Sequence, residues 1–157
     1  MGERCASADR ERCAELSAPS RISLDWKGVR KFEGGREGRP PILLDGDGEA
    51  GPTPPDALLA ALGACVSVDV VDILAKRRTP VESYSVEVLG ERVDTIPRRF
   101  RHITLNISIV GAGIERAVAG HAIDLAVTKY CSVRDSLHSD IQIVWNLGLN
   151  GQKATES

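Results

Sequence analysis

At 157 residues, 42% hydrophobic and 27% charged, the chain has the size and composition of one globular domain able to bury a sizeable core. Its 20 basic and 22 acidic residues leave a net charge of −2, which excludes the basic footprint of a nucleic-acid binder. Two Trp, two Tyr and two Phe are too few for a base-stacking platform.

Met1 to Arg21 is polar and charged, without the apolar centre of a signal peptide. Residues 1–19 read as a flexible extension ending at Pro19, with at most a short helix over Arg10–Leu16. Order is expected over 20–150, and 151–157 read as a flexible C-terminal tail. Arg21-Ile22-Ser23-Leu24-Asp25-Trp26 alternates like a half-buried strand. After Gly28 come the apolar pair Val29 and Phe32, turn glycines at 34, 35 and 38, and a third strand around Ile42–Leu44.

A long apolar helix follows the Gly/Pro-rich stretch 46–55. Thr53 suits its N-cap, prolines its first turn and Asp56 the acidic third position. Lys76, Arg77 and Arg78 suit the negative end of its dipole, and Pro80 stops it. The run from Ala57 to Ala75 is long enough to suggest a membrane span, but Asp69 and Asp72 lie inside it, and charge at membrane depth is costly. The run therefore reads as a soluble helix buried on all sides, and the protein as cytoplasmic. Cysteines stay reduced in that compartment, so a persistent structural disulfide is not expected.

Beyond Pro80 the period changes to two, at Tyr84-Val86-Val88 and Ile103-Leu105-Ile107-Ile109, around a charged connection. Ile114–Tyr130 has helical spacing, Cys131 ends it, and Ile141, Ile143, Trp145 and Leu147 form a last alternating strand. The order βββ-α-ββ-α-β predicts an α+β fold with a largely antiparallel sheet.

Gly46-Asp47-Gly48-Glu49-Ala50-Gly51 spells a dinucleotide fingerprint. Such a site needs the helix to open at the glycines, whereas Pro52–Pro55 intervene here, so a plain turn is the better reading. The cysteines at 5, 13, 65 and 131 contain no C-x-x-C pair, and the histidines at 102, 121 and 138 are scattered. This leaves no metal set. Cys5 and Cys13 fall in the extension and read as incidental.

Cys65 sits mid-helix among Leu58, Ala61, Leu62 and Val66, where composition alone favours a small inert hydrophobe. Asp69, four residues on, shares roughly its face and disfavours a thiolate there, so a reactive Cys65 needs a cation from elsewhere. Cys131 stands where one helix ends and a short one begins, and a helix N-terminus lowers a thiol's pKa. Spacing alone does not say that the two thiols meet.

The segment Gly51-Pro52-Thr53-Pro54-Pro55-Asp56-Ala57-Leu58-Leu59-Ala60-Ala61-Leu62-Gly63-Ala64-Cys65 resembles the signature of the osmotically inducible protein C and organic hydroperoxide resistance family. Val68–Arg78 continues the likeness, and Lys129-Tyr130-Cys131-Ser132-Val133 resembles its second cysteine block. The resemblance covers about residues 21–149. It implies an interlocked α+β homodimer built round the cysteine helix, with each site where two chains meet. It also implies thiol peroxidase chemistry on small organic hydroperoxides. Cys65 would be the nucleophile and Cys131 the resolving thiol. An external dithiol such as a lipoyl group would reset the pair, with no metal, flavin or other cofactor. Peroxidase members resemble N-P-E at the helix start, where a glutamate and an arginine hold the thiolate; here the acid is Asp56, and the arginine is one of Arg30, Arg36 and Arg39, with Arg36 the candidate taken. They also resemble C-P-Y at the second cysteine, against Cys131-Ser132-Val133 here. These departures place the chain nearer the less-characterised branch. The competing reading is a non-catalytic or redox-sensing protein that binds a small ligand at the dimer interface.

Overall fold

The computed structural model describes residues 19–156. Cys5, Cys13 and the expected Arg10–Leu16 helix lie outside the described residues. The chain divides between Thr53 and Pro54 into two compact units.

The first unit is an antiparallel sheet of β1 (Ser23–Trp26), β2 (Lys31–Gly35) and β3 (Ile42–Asp45), in that order. Gly28, at φ +99, makes the first turn, where Lys31 N–H donates to its carbonyl at 3.0 Å. The register pairs Leu24 with Gly34 and Gly34 with Ile42, then Trp26 with Phe32 and Phe32 with Leu44. The apolar residues therefore share one face. Trp26 on that face is 66% exposed and Ile42 53%.

β3 delivers Asp45 into the glycine-rich loop. Its carboxylate is fully buried and accepts the backbone N–H groups of Asp47 and Ala50, both at 3.0 Å. Those amides hold the Asp45 carboxyl below its usual range. A Cβ on Gly51 would stand 2.5 Å from the Leu43 carbonyl oxygen, so the loop needs glycine to close on the strand. Its amides turn onto an internal carboxylate where a nucleotide site would present them to phosphate. The motif is a turn.

The second unit opens with α1 (Pro54–Lys76), whose prolines and Asp56 occupy the first turn. α1 ends two residues before the expected Arg78 in a Schellman closure: Thr79 N–H donates to Leu74 O at 3.2 Å and Arg78 N–H to Ala75 O at 3.0 Å. Arg78 takes the left-handed position at φ +61, which costs a side-chain-bearing residue about 1 kcal/mol. Arg78→Gly is expected to raise unfolding stability by about that amount in urea titration; an unchanged midpoint would contradict the strain.

After α1 come β4 (Ser83–Arg92), β5 (Phe100–Val110), α2 (Arg116–Leu125), a π turn (Ala126–Tyr130), α3 (Ser132–Asp135), β6 (Gln142–Leu149) and β7 (Gln152–Glu156). The expected helix over Ile114–Tyr130 is thus α2 closed by one wide turn. The sheet order is β4-β5-β6-β7. β5 and β6 pair in parallel and the other neighbours antiparallel, since the helical connection between β5 and β6 carries the chain back to the same end. β7 lies in what reads from sequence as the flexible tail; the turn at Asn150 and Gly151 folds it back onto β6.

The core lies between this sheet and its helices. Ile103, Leu105, Ile107 and Ile109 of β5, Leu147 and Leu149 of β6, and Ala119, Ala122 and Ile123 of α2 are buried. α1 packs on β4, α2, the π turn and α3. Its fully buried residues are Leu62, Gly63, Val66, Val70 and Leu74, a stripe of helical spacing. The expectation of burial on every side does not hold in one chain. Ala60, Ala61, Ala64 and Asp72 face out, and so do Val71 and Val68, the latter 61% exposed. Alanine makes the helix apolar without obliging it to be covered. α1 is the only helix among the described residues with the length and hydropathy of a membrane span, and its buried stripe makes it a core helix of this unit.

Candidate active site

α1 carries Cys65, half-buried beside the stripe of Leu62 and Val66. The π turn brings up the second thiol. Its wide hydrogen bond, from Cys131 N–H to Ala126 O at 2.9 Å, turns the chain out of α2 just before α3 begins. Such turns are frequent at functional positions. Cys131 is the N-cap of α3 and is 3% exposed, and its Sγ accepts the Arg134 N–H at 3.3 Å. Packing of α1 against the π turn and α3 brings Cys65 near enough to raise the pKa of the Cys131 thiol, and both cysteines are free. Two cysteines far apart in sequence are therefore neighbours in the fold.

The two cysteines do not share an environment. Burial pushes the Cys131 thiol up to about 11; the Cys65 thiol adds to this, and the Arg134 and Val133 amides offset it in part. The lowering expected from a helix N-terminus is outweighed by burial, because α3 offers only four residues of aligned dipole.

This has a consequence for stability. The folded Cys131 binds its proton more tightly than an unfolded cysteine, so its contribution is complete below the unfolded value of about 9 and is lost as pH rises towards about 11. Denaturant titrations of reduced protein are expected to show that loss above pH 9. Cys131→Ala should flatten it, and an equally steep loss in the variant would contradict the assignment.

Beside Cys131 lies a concavity of about 290 Å3 whose lining includes Lys129, Tyr130, Cys131, Ser132, Arg134 and Asp135. The Lys129 ammonium stands 5.5 Å from the Tyr130 ring centroid. Sequence reasoning sought cations only among the arginines of the first strands. Lys129 and Arg134 were detectable as the basic residues flanking Cys131.

The expected arginines, Arg30, Arg36 and Arg39, all belong to the first unit. Asp56 is exposed in the first turn of α1, nine residues and roughly 14 Å along the axis from Cys65. It is not without a polar partner. Arg36 lies in the exposed turn between β2 and β3, where Arg39 N–H donates to its carbonyl at 3.1 Å. Arg30 is paired with Asp47 at 2.7 Å. Among the described residues no three His, Cys, Asp or Glu side chains cluster as a metal set.

This α+β fold thus brings a core-helix cysteine near a second, buried cysteine. The family model for OsmC-like protein matches residues 46–146, which include both cysteines, and the chain belongs to that family. Protein YhfA of Escherichia coli K12 is 39% identical over 103 residues, spanning 65% of this chain and 77% of YhfA. A hypothetical protein from Aquifex aeolicus VF5 superposes with a TM-score of 0.73 at 25% identity, covering 84% of this chain and 98% of the other. The organic hydroperoxide resistance protein OhrB of Bacillus subtilis shares the fold at a TM-score of 0.56 and 13% identity, over 84% of this chain and 98% of its own.

Proposed function

We propose that this protein is a thiol-dependent peroxidase that reduces small organic hydroperoxides through a Cys65/Cys131 dithiol–disulfide cycle. The observation that carries the reading is a half-buried helix thiol placed near enough to a buried second thiol, Cys131, to push that thiol's pKa up. The fold shared with a hydroperoxide resistance protein is consistent with it. Cys65 as thiolate attacks the terminal peroxide oxygen; the O–O bond breaks, and the alkoxide leaves as alcohol after taking a proton. The resulting sulfenic acid is attacked by Cys131, whose proton goes to the departing hydroxide as water. An external dithiol then reduces the disulfide. The cycle needs no metal or flavin and suits a cytoplasm that keeps thiols reduced.

The thiolate at Cys65 requires a cation. Since Arg30 is engaged by Asp47, Arg36 is our choice for this role and Arg39 the next. Asp56 would act only through such an arginine.

The functional unit is a homodimer in this reading. α1 exposes Leu58, Val68 and Val71, and the first sheet exposes Leu24, Trp26, Phe32 and Ile42. Apolar surfaces of this kind call for a partner, and a second copy is the one always at hand. Light scattering at micromolar concentration should give twice the 16.9 kDa chain mass; a clean monomer would remove the dimer from the account.

Stopped-flow mixing of reduced protein with cumene hydroperoxide should show rapid consumption that continues while dithiol lasts, and slower reaction with hydrogen peroxide. Slow oxidation without turnover would instead favour the redox-sensing or ligand-binding reading.

A further inference from the structure

We infer that the concavity beside Cys131 is the reductant's docking site, and that it selects a thiol carrying a carboxylate, directing that thiol's sulfur to Cys131. This rests on the dithiol reading of the site but not on which oxidant makes the disulfide. At about 290 Å3 the concavity has room for a small thiol. Cys131 forms part of its wall, flanked by Lys129 and Arg134, with Asp135 the one acid in the lining. The half-exposed Tyr130 ring offers a flat apolar wall for a short alkyl chain. Two cations that outnumber the local carboxylate favour an anionic visitor, and arginine can grip a carboxylate bidentately.

The exchange runs in two steps. The incoming thiolate forms a bond to Cys131 Sγ as the Cys65–Cys131 bond breaks, and Cys65 leaves with the electron pair as thiolate. A second thiol then attacks the reductant's own sulfur in the mixed disulfide. The reductant departs oxidised, and Cys131 takes a proton to return to its neutral thiol. Cys65 is absent from the lining of the concavity, so a thiol seated there meets the Cys131 side of the disulfide first.

The test starts from protein oxidised to the disulfide with diamide, so it stands even if hydroperoxides are not the natural oxidant. Reduction by 3-mercaptopropionate and by neutral 2-mercaptoethanol is compared at equal thiolate concentration. The anionic thiol should be faster by about tenfold at low salt, with the advantage shrinking as salt screens the cations. Lys129→Glu and Arg134→Glu should each lower the ratio of the two rates, and together abolish it. Both side chains are on the surface of the concavity, and Lys129→Gln offers a milder version with the same direction. Quenching early with iodoacetamide should leave the mercaptopropionate adduct on Cys131 and the alkyl group on Cys65. An adduct on Cys65, or a rate ratio indifferent to salt and to both substitutions, would overturn the inference. Failure of cumene hydroperoxide to form the disulfide would count against the peroxidase reading alone.

Discussion

Cys65→Ser is expected to abolish hydroperoxide consumption, a loss of at least about 10^3-fold, while Cys131→Ser should still consume one equivalent per chain and then stop. The asymmetry follows from where the two sulfurs stand. Cys65 is half-buried on a rigid core helix whose stripe of Leu62, Val66 and Val70 fixes its position. Cys131 is almost fully buried, and its thiol is held neutral by burial and by its neighbour. A buried neutral thiol makes a poor first nucleophile, but it needs no more than proximity to condense with a sulfenic acid already beside it. Without Cys131 the sulfenic acid should persist and be trapped by dimedone. If Cys131 is the residue caught as sulfenic acid while Cys65 stays reduced, the roles are reversed.

The second large effect is structural. Gly63→Val should lower unfolding stability by about 3 kcal/mol, a fall in Tm on the order of 10 °C. α1 crosses β4 at this glycine, and a Cβ there would lie 2.8 Å from Val88 Cγ2 and 3.5 Å from Val86 Cγ1. Neither valine has a flexible end to withdraw. A helix interior normally favours any residue except proline over glycine, so a stabilised variant would show that the crossing is looser than described. Gly63→Ala brings one carbon into the same space and gains helix propensity, and its loss should be smaller.

Much of this fold was legible because its elements declare their periods. The alternation at Val86-Val88 and Ile103–Ile109 became β4 and β5, and the prolines and acid before Ala57 marked the start of α1. What escaped has physical reasons. The stretch Ala126–Tyr130 has nothing that separates a π turn from an α turn, since the difference lies in which carbonyl accepts Cys131 N–H. β7 is a short, mostly polar edge strand, so its sequence carries no apolar alternation. The uniform apolarity of α1 concealed which side packs, because alanines serve equally inside and out. Spacing could not bring Cys65 to Cys131; the contact depends on how α1 lies against the turn after α2. The resemblance to a family suggested that pairing, and in the fold Cys65 stands near enough to raise the pKa of the Cys131 thiol.

The central claim is that these two thiols form one redox pair. Its most direct test is mass spectrometry of peptides from full-length protein treated with one equivalent of cumene hydroperoxide under denaturing alkylation. The account predicts a Cys65–Cys131 disulfide that disappears on adding dithiol, with Cys5 and Cys13 alkylated as free thiols. A stable disulfide through Cys5 or Cys13, or both Cys65 and Cys131 recovered as free thiols after excess hydroperoxide, would contradict it.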